Sequence, residues 1–393
     1  MSLNLNRRQI CTGGMLLVLT SGTIHVARGA GFLPDDEAYS LWQLWNDASL
    51  RGTPLALIAA GVLAANPHDT QPWIFHVRDD EIAIYADLSR NLGAMDAFVR
   101  EMHLGLGCAI QNMLLAAPAN GFAADVDVVP GTLLTLHERR GPVLAATLRL
   151  SRAGTRAPDS LYRAIPERHT NRYAYNRAKP LPREWRDFAG HADVSDDVRV
   201  VLFEDGPARR DYDSLVIDAT EAIIADKIMI ADSDRWVRTS HDEIEAHRDG
   251  PTLDAAGLST FTLFFAKLLP VSPQMSHDGW LSQTRDKQVP TASMTGFIAV
   301  RDRYDRTATI AAGRTWQRLH LSATAHGIAM QPLNQPIEMI DRERQLGRGT
   351  HWADRVARLT GPDWQATFSF RAGYADQTAG PSPRRALHDV VKM

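Results

Sequence analysis

From Arg100 to Ala117 the apolar residues Met102, Leu106, Ile110, Met113, Leu114 and Ala117 recur at helical spacing, which predicts a long amphipathic helix at the centre of a core. Upstream, residues 37 to 63 read as helices broken at Arg51-Gly52-Thr53-Pro54. Between them, Phe75-His76-Val77 and Ile82-Ala83-Ile84-Tyr85 flank the polar turn Arg78-Asp79-Asp80 and predict a pair of strands. A shift of 206 residues superposes Gly107, Gln111, Leu115, Ala117 and Gly121 on Gly313, Gln317, Leu321, Ala323 and Gly327. Such matches also arise by chance among helices rich in Ala, Leu and Gly, but the flanks favour a repeat. Each copy ends at a glycine suited to a helix C-cap, and an extended stretch, Gly296 to Val300, precedes the second. The expectation is an α+β chain of two unequal halves, a pseudo-dimer within one polypeptide.

The pattern also sets boundaries. Residues 151 to 160 and 182 to 198 are polar, linker-like stretches, so residues 31 to 155 are taken as the first half and 156 to 393 as the second. Within the second, residues 230 to 292 carry Asp232-Ser233-Asp234, a Gly250-Pro251 break, an apolar patch from Phe261 to Leu269, and Pro270, Pro273 and Pro290. So long an excursion in a globular domain is usually functional, and a lid over a ligand is expected here. At 393 residues the chain is long enough for each half to bury a core.

Charge and cysteine content narrow the function. A net charge of -3 and the absence of a long Lys/Arg run argue against a nucleic-acid partner and for a small molecule. Arg7 and Arg8 precede an apolar stretch from Gly13 to Ile24, and residues 1 to 30 resemble a twin-arginine export signal, which implies a periplasmic or exported protein. A plain N-terminal segment on a cytoplasmic protein is the alternative. No other stretch approaches the roughly 18 apolar residues of a membrane span. Cys11 lies in the proposed signal, which leaves Cys108 and no disulfide framework.

Four proline- or arginine-rich stretches carry candidate chemistry. Arg168-His169-Thr170-Asn171-Arg172 sets two guanidinium groups and a hydroxyl within five residues, suited to an anionic ligand or, read alone, to a solvated surface loop. Asn66-Pro67-His68-Asp69-Thr70-Gln71-Pro72-Trp73 has a backbone restricted by two prolines and reads as a site wall or as a turn anchoring Trp73. Gln331-Pro332-Leu333-Asn334-Gln335-Pro336 follows the repeated helix in the same style, and Pro383-Arg384-Arg385 by itself reads as a tail.

Taken together, Arg168 to Tyr173 resembles the Arg-x-Ser/Thr-x-Arg/Lys segment of the nitroreductases, and Asp69 to Trp73 resembles their Asn-x-Gln-Pro-Trp loop. The order of the two motifs is reversed relative to that family and each occurs once, an arrangement similar to the Acg-like branch, in which two nitroreductase-like halves are fused and a lid covers one flavin. The resemblance spans most of residues 55 to 385 and implies FMN as cofactor. It implies that Arg168 and Thr170, within a segment that includes His169, hold the phosphate, and that Arg172 reaches the pyrimidine edge. Arg384 or Arg385 would complete the phosphate site, and Leu333, Asn334 and Gln335 would lie near flavin N5. Asn66, Pro67, His68, Asp69 and Gln71 would approach from the first half. Asn66 stands where relatives usually have Ser, and Asp69 where they usually have Asn; beside the ring, an ionised Asp69 would oppose an anionic reduced flavin, which leaves three readings open: a lowered potential, a carboxylate that points elsewhere, or weakened flavin binding.

The resemblance implies an oxidoreductase passing hydride from NAD(P)H through FMN to a nitroaromatic or quinone-like acceptor. The alternative is a flavin-sequestering protein with a closed lid and little turnover. No acid or base residue is assigned. A monomer is expected, since a fused pseudo-dimer has less need of a partner. His241, Asp242, Glu243 and His247 are set aside as metal ligands because histidines six apart do not share a helix face. Gly105-Leu106-Gly107 lacks the third glycine of a dinucleotide fingerprint and reads as helix packing.

Overall fold

The alternating residues of the first half fold into a hairpin of β1 (Trp73–Val77) and β2 (Glu81–Ala86), antiparallel with Val77 opposite Ile82. Its inward residues Trp73, Phe75, Ile82 and Ile84 are fully buried. Before it lies α1 (Pro54–Gly61), started by a proline in its first turn where no backbone donor is needed. After it comes the expected long helix, α2 (Arg100–Ala119), followed by β3 (Phe122–Val128) and β4 (Val143–Arg152). Gly121 follows α2 with φ +75°, and Gly327 follows the second copy with φ +68°, the left-handed geometry that glycine adopts at no steric cost. The chain is described from a computed structural model over residues 37–45, 47–135, 141–258 and 273–392.

In the second half, β5 (Val198–Phe203) leads into α3 (Pro207–Ala225), α4 (Lys227–Asp234) and α5 (His241–His247). Then follow β6 (Met294–Val300), α6 (Arg306–Ala325), β7 (Ala329–Pro332), α7 (Gln335–Leu346), α8 (His351–Thr360) and β8 (Gln365–Gly373). The two sheets repeat one topology. The first runs β1-β2-β4-β3 and the second β5-β6-β8-β7, all antiparallel, and the corresponding pairs β2·β4 and β6·β8 each carry a register irregularity.

The 206-residue shift has a spatial meaning, because α2 and α6 cross at the superposed glycines. A Cβ on Gly107 would overlap the Ile310 carbonyl oxygen, and one on Gly313 would overlap the Leu104 carbonyl oxygen. The same shift exchanges these two contacts, since it carries 104 to 310 and 107 to 313. Around the crossing, Gln317 Nε2 donates to Asn112 Oδ1 at 2.8 Å and Cys108 Sγ donates to Gly313 O at 3.2 Å. The largest hydrophobic core runs without a break from Ile58 and Ile84 through Ile110 and Ile310 to Phe370, so the halves share one interior.

The halves are less separate than the boundary at 155/156 implies. The last strand, β9 (Val391–Lys392), pairs parallel with β1 and belongs to the first sheet, because the tail crosses back over the Asn66–Gln71 loop. The apolar patch Phe261 to Leu269 and residues 1 to 30, with the proposed signal and Cys11, lie outside the described residues. Among the described residues, no helix is long and apolar enough to cross a membrane.

Candidate functional site

The loop after α1 has an unusual backbone. His68, Asp69 and Gln71 hold φ of 44°, 48° and 49°, left-handed values that cost a non-glycine residue about 1 kcal/mol or more each. Surrounding contacts over-determine this shape. Asn66 Oδ1 accepts from Gln71 N at 2.7 Å, and His68 Nε2 meets Ser233 Oγ of α4 at 2.9 Å. Gln71 Nε2 donates to Arg248 O at 2.8 Å, while Gln71 Oε1 accepts from Arg385 N at 2.8 Å. Gly105 leaves room for the loop, since a Cβ there would sit 3.0 Å from Pro67 Cδ. Burial, and then the Arg172 charge, pulls the His68 pKa down to about 4, so its imidazole is neutral at physiological pH.

Beside this loop two arginines are buried together. Arg168, 3% exposed, donates to Leu63 O at 3.1 Å and lies 3.4 Å from His320 Nδ1, and its Nε is buried without a protein partner. Arg384, 2% exposed, donates to Val62 O at 2.8 Å, Pro383 O at 2.8 Å and Asp69 Oδ1 at 2.7 Å, and its guanidinium faces the Trp42 ring. Desolvation and then the neighbouring Arg384 lower the Arg168 pKa to about 10, which still leaves both cations charged at neutral pH. His169, edge-on to Trp42, is pushed down to about 3 by burial and by the same two arginines and adds no charge. Two buried cations thus share one carboxylate, Asp69, and uncompensated positive charge in a desolvated setting favours an anion.

The rest of the 168–172 segment is stitched to the second sheet. Thr170 bridges Met330 of β7, and Asn171 N donates to Met330 O at 3.1 Å. Arg172 donates to Ala255 O at 3.1 Å, and Gly257 packs so closely on the Arg172 carbonyl that no side chain fits there. Arg371 of β8, fully buried, donates to Gln331 Oε1 at 2.7 Å, Gln288 O at 3.0 Å and Tyr173 O at 2.8 Å, and stacks on Tyr175. It clamps the arginine segment to the excursion and to the stretch leading to Leu333.

The sequence-based candidates therefore separate. Arg168, Arg384, Asp69, Asn66 and Gln71 form one cluster, with His68 and Arg172 at its border. Of the two tail arginines, Arg384 joins Arg168, whereas Arg385 is spent on Gln71 O and Asp389 O. The left-handed backbone turns the Asp69 carboxylate onto Arg384. Leu333 is fully buried in the core with Phe297 and Ile337, and Asn334 Oδ1 is taken by Ser369 N at 2.9 Å. Gln335 keeps a buried oxygen without a protein partner. Glu243 completes a capping box with Ser240 at the start of α5.

Sequence reasoning missed Arg371 and a buried acidic group. Arg100 Nε donates to Asp341 Oδ2 at 2.8 Å and its Nη2 to Glu101 Oε1 at 3.3 Å, and Asp96 caps the Glu101 and Met102 amides. Burial pushes the Glu101, Asp96 and Glu338 carboxyls up. Charged residues read as surface in a sequence; only the coincidence of Arg100-Glu101 with an otherwise apolar helix start hinted at these.

No family model matches the chain. Two proteins from strains of Mycobacterium tuberculosis, each provisionally named an NAD(P)H nitroreductase, are 25% identical to it over 346 residues, 86% of this chain and 91% of theirs. Among solved structures, the FMN-dependent nitroreductase NfnB from Mycobacterium smegmatis, in complex with NADPH, aligns with 60% of this chain and 97% of its own at 18% identity and a TM-score of 0.36. A nitroreductase with bound FMN from Desulfitobacterium hafniense aligns with 60% and 98%, at 14% identity and a TM-score of 0.34. The similarity to the mycobacterial proteins runs through most of the chain and is to proteins named for the superfamily that its motifs resemble.

Proposed function

We propose that the chain is an FMN-dependent oxidoreductase of the nitroreductase superfamily, an Acg-like fused pseudo-dimer with one flavin site per polypeptide. The buried Arg168–Arg384 pair carries this reading, because two desolvated guanidinium groups beside a single carboxylate favour an anionic ligand, and a phosphate monoester suits them. The orphaned Nε of Arg168 fits that group. The names of the curated relatives, the matching topologies of the two sheets and the exchanged glycine contacts support the same reading.

In this reading Arg168 and Arg384 hold the phosphate and Trp42 closes one side of it. Arg172, whose pKa burial lowers against the pull of Tyr175 and Asp69, would place its guanidinium where negative charge develops on a reduced cofactor. Arg371 fixes the segment that carries Arg172, and the residues from Arg248 to Gly257 exclude water by lying over both loops. Bound FMN supplies two-electron chemistry, from NAD(P)H to a nitroaromatic or quinone-like acceptor. The second reading is flavin sequestration, favoured by how closely the 248–257 stretch covers Gln71 and Arg172.

The test is the visible spectrum of the purified protein, followed by anaerobic NADPH. A bound flavin spectrum that bleaches is the expected result. A flavin spectrum that does not bleach favours sequestration, and a colourless protein that takes up no added FMN refutes the proposal.

A further inference from the structure

Asp69 is the internal anion of the basic pair. Three left-handed residues in one six-residue loop hold its carboxylate in place, with Oδ1 2.7 Å from Arg384 Nη1 and 3.2 Å from Asn66 Nδ2. Its other oxygen, Oδ2, is buried without a protein partner. Arg168 faces the same carboxylate from the side of α6, and Arg172 from the excursion side. Asp249 adds like charge from beyond α5 but is neutralised by Arg90 and Arg238. His68 and His169 are neutral. Any anion drawn to Arg168 and Arg384 must therefore share them with a carboxylate that the backbone prevents from leaving.

The charge count gives the consequence. With Asp69 ionised the pair offers one net positive charge, and with Asp69 protonated it offers two, the number that matches a dianionic phosphate. Resting on the flavin reading above, we propose that Asp69 is a tethered competitor for the cofactor's phosphate, so that FMN binding is coupled to uptake of one proton and the site discriminates against dianionic ligands as pH rises. The proton goes to Asp69, whose Oδ2 is available for it. Burial raises the Asp69 pKa to about 6 before any ligand arrives, against the opposing pull of Arg384. The coupling is therefore visible above that pH. Replacing the carboxylate by an amide reverses the sign: two uncompensated guanidiniums then prefer the dianion.

The experiment is a fluorescence titration of the full chain with FMN and with riboflavin, for the natural protein and Asp69→Asn, from about pH 6 to about pH 8, where uptake of one proton corresponds to up to tenfold per pH unit. The expected result is FMN affinity that falls with pH in the natural protein, flat riboflavin affinity, and FMN affinity in Asp69→Asn that does not fall and exceeds the natural protein's at the alkaline end. FMN affinity that is flat or rising with pH in the natural protein overturns the proposal. Should neither flavin bind, the flavin reading fails by itself, and calorimetry with inorganic phosphate in two buffers of different ionisation heat decides the rest. Proton uptake on phosphate binding by the natural protein but not by Asp69→Asn supports a competing carboxylate. Equal proton exchange by both, or no phosphate binding, sinks it. Because the natural protein's own pH profile carries the sign, misfolding of the variant does not protect the proposal.

Discussion

Replacing Gly107 by Ala tests whether the two halves meet where the repeat says they do. The added methyl would sit 3.0 Å from Arg314 N and 3.1 Å from Gly313 Cα, besides overlapping the Ile310 carbonyl. Ordinary carbon contacts lie at about 3.5–4.0 Å, so α2 and α6 must separate by roughly 1 Å. All these neighbours are backbone, and no side chain can swing aside. Overpacking of this kind costs about 1–3 kcal/mol, and the gap opened along the rest of the crossing adds lost dispersion, while Ala in place of Gly returns about 1 kcal/mol of helix propensity. A net destabilisation of about 2 kcal/mol is expected, a fall in Tm of about 3 °C for a chain this long. Gly313→Ala should behave alike, its methyl falling 2.8 Å from Leu104 C. Because one separation relieves both overlaps, the double variant should lose clearly less than the sum of the singles in thermal unfolding. An unchanged or raised Tm in either single variant, or strict additivity in the double, would refute a shared close crossing.

Three further outcomes follow from buried groups. Burial pushes Glu101 up to about 8 from its ordinary 4.5, so its contribution to stability is complete below about pH 4.5 and is lost as pH rises through 8. Glu101→Gln should thus gain on the natural protein, by a few kcal/mol at most, as urea unfolding is moved from pH 5 to about pH 8; a difference independent of pH would contradict it. Arg371→Lys cannot reproduce the fork that reaches Gln331, Gln288 and Tyr173, and leaving buried carbonyls unpaired should lower stability by about 2–3 kcal/mol. Equal thermal unfolding of the two proteins would show that the clamp is unimportant. Cys108, with its thiol pushed up to about 12 by burial, should resist iodoacetamide until the protein unfolds, as followed by mass spectrometry of its peptide, and fast labelling of the folded chain would disprove its packing against Gly313.

Features set by local rules were legible in the sequence. The hairpin at β1 and β2, the helix from Arg100 and its glycine cap depend on spacing within a few residues, and the matched glycines pointed to a repeat, though not to the crossing of its two helices. What could not be read is what tertiary structure imposes. Left-handed backbone at His68, Asp69 and Gln71 has no clear signature, because Asp and His visit it more often than most residues but only as single positions, and Gln rarely does. Arg371 and the Arg100–Asp341 pair look like surface charges until the sheets cover them. Local order likewise gives no hint that β9 returns to β1, since a two-residue strand exists only through its partner. Arg168 and Arg384 were named as candidates, but the choice of Arg384 over Arg385, and the turn of Asp69 toward it, needed the fold.

The bond between Asp69 and Arg384 joins residues 315 positions apart. On a ribosome adding about 5–20 residues per second, on the order of 15–60 s separate their emergence. During that interval the Asn66–Gln71 loop gains its contacts to Ser233 and Arg248 but has neither the arginine that orients its carboxylate nor the amide of Arg385 that holds Gln71. The Asp69 carboxylate therefore acquires its buried partner only once residue 384 has emerged, so the Arg168–Arg384 site forms later than the sheets and helices around it. A nascent chain that stops short of residue 384 would carry most of these helices and strands while Arg168 still lacked the second guanidinium beside it.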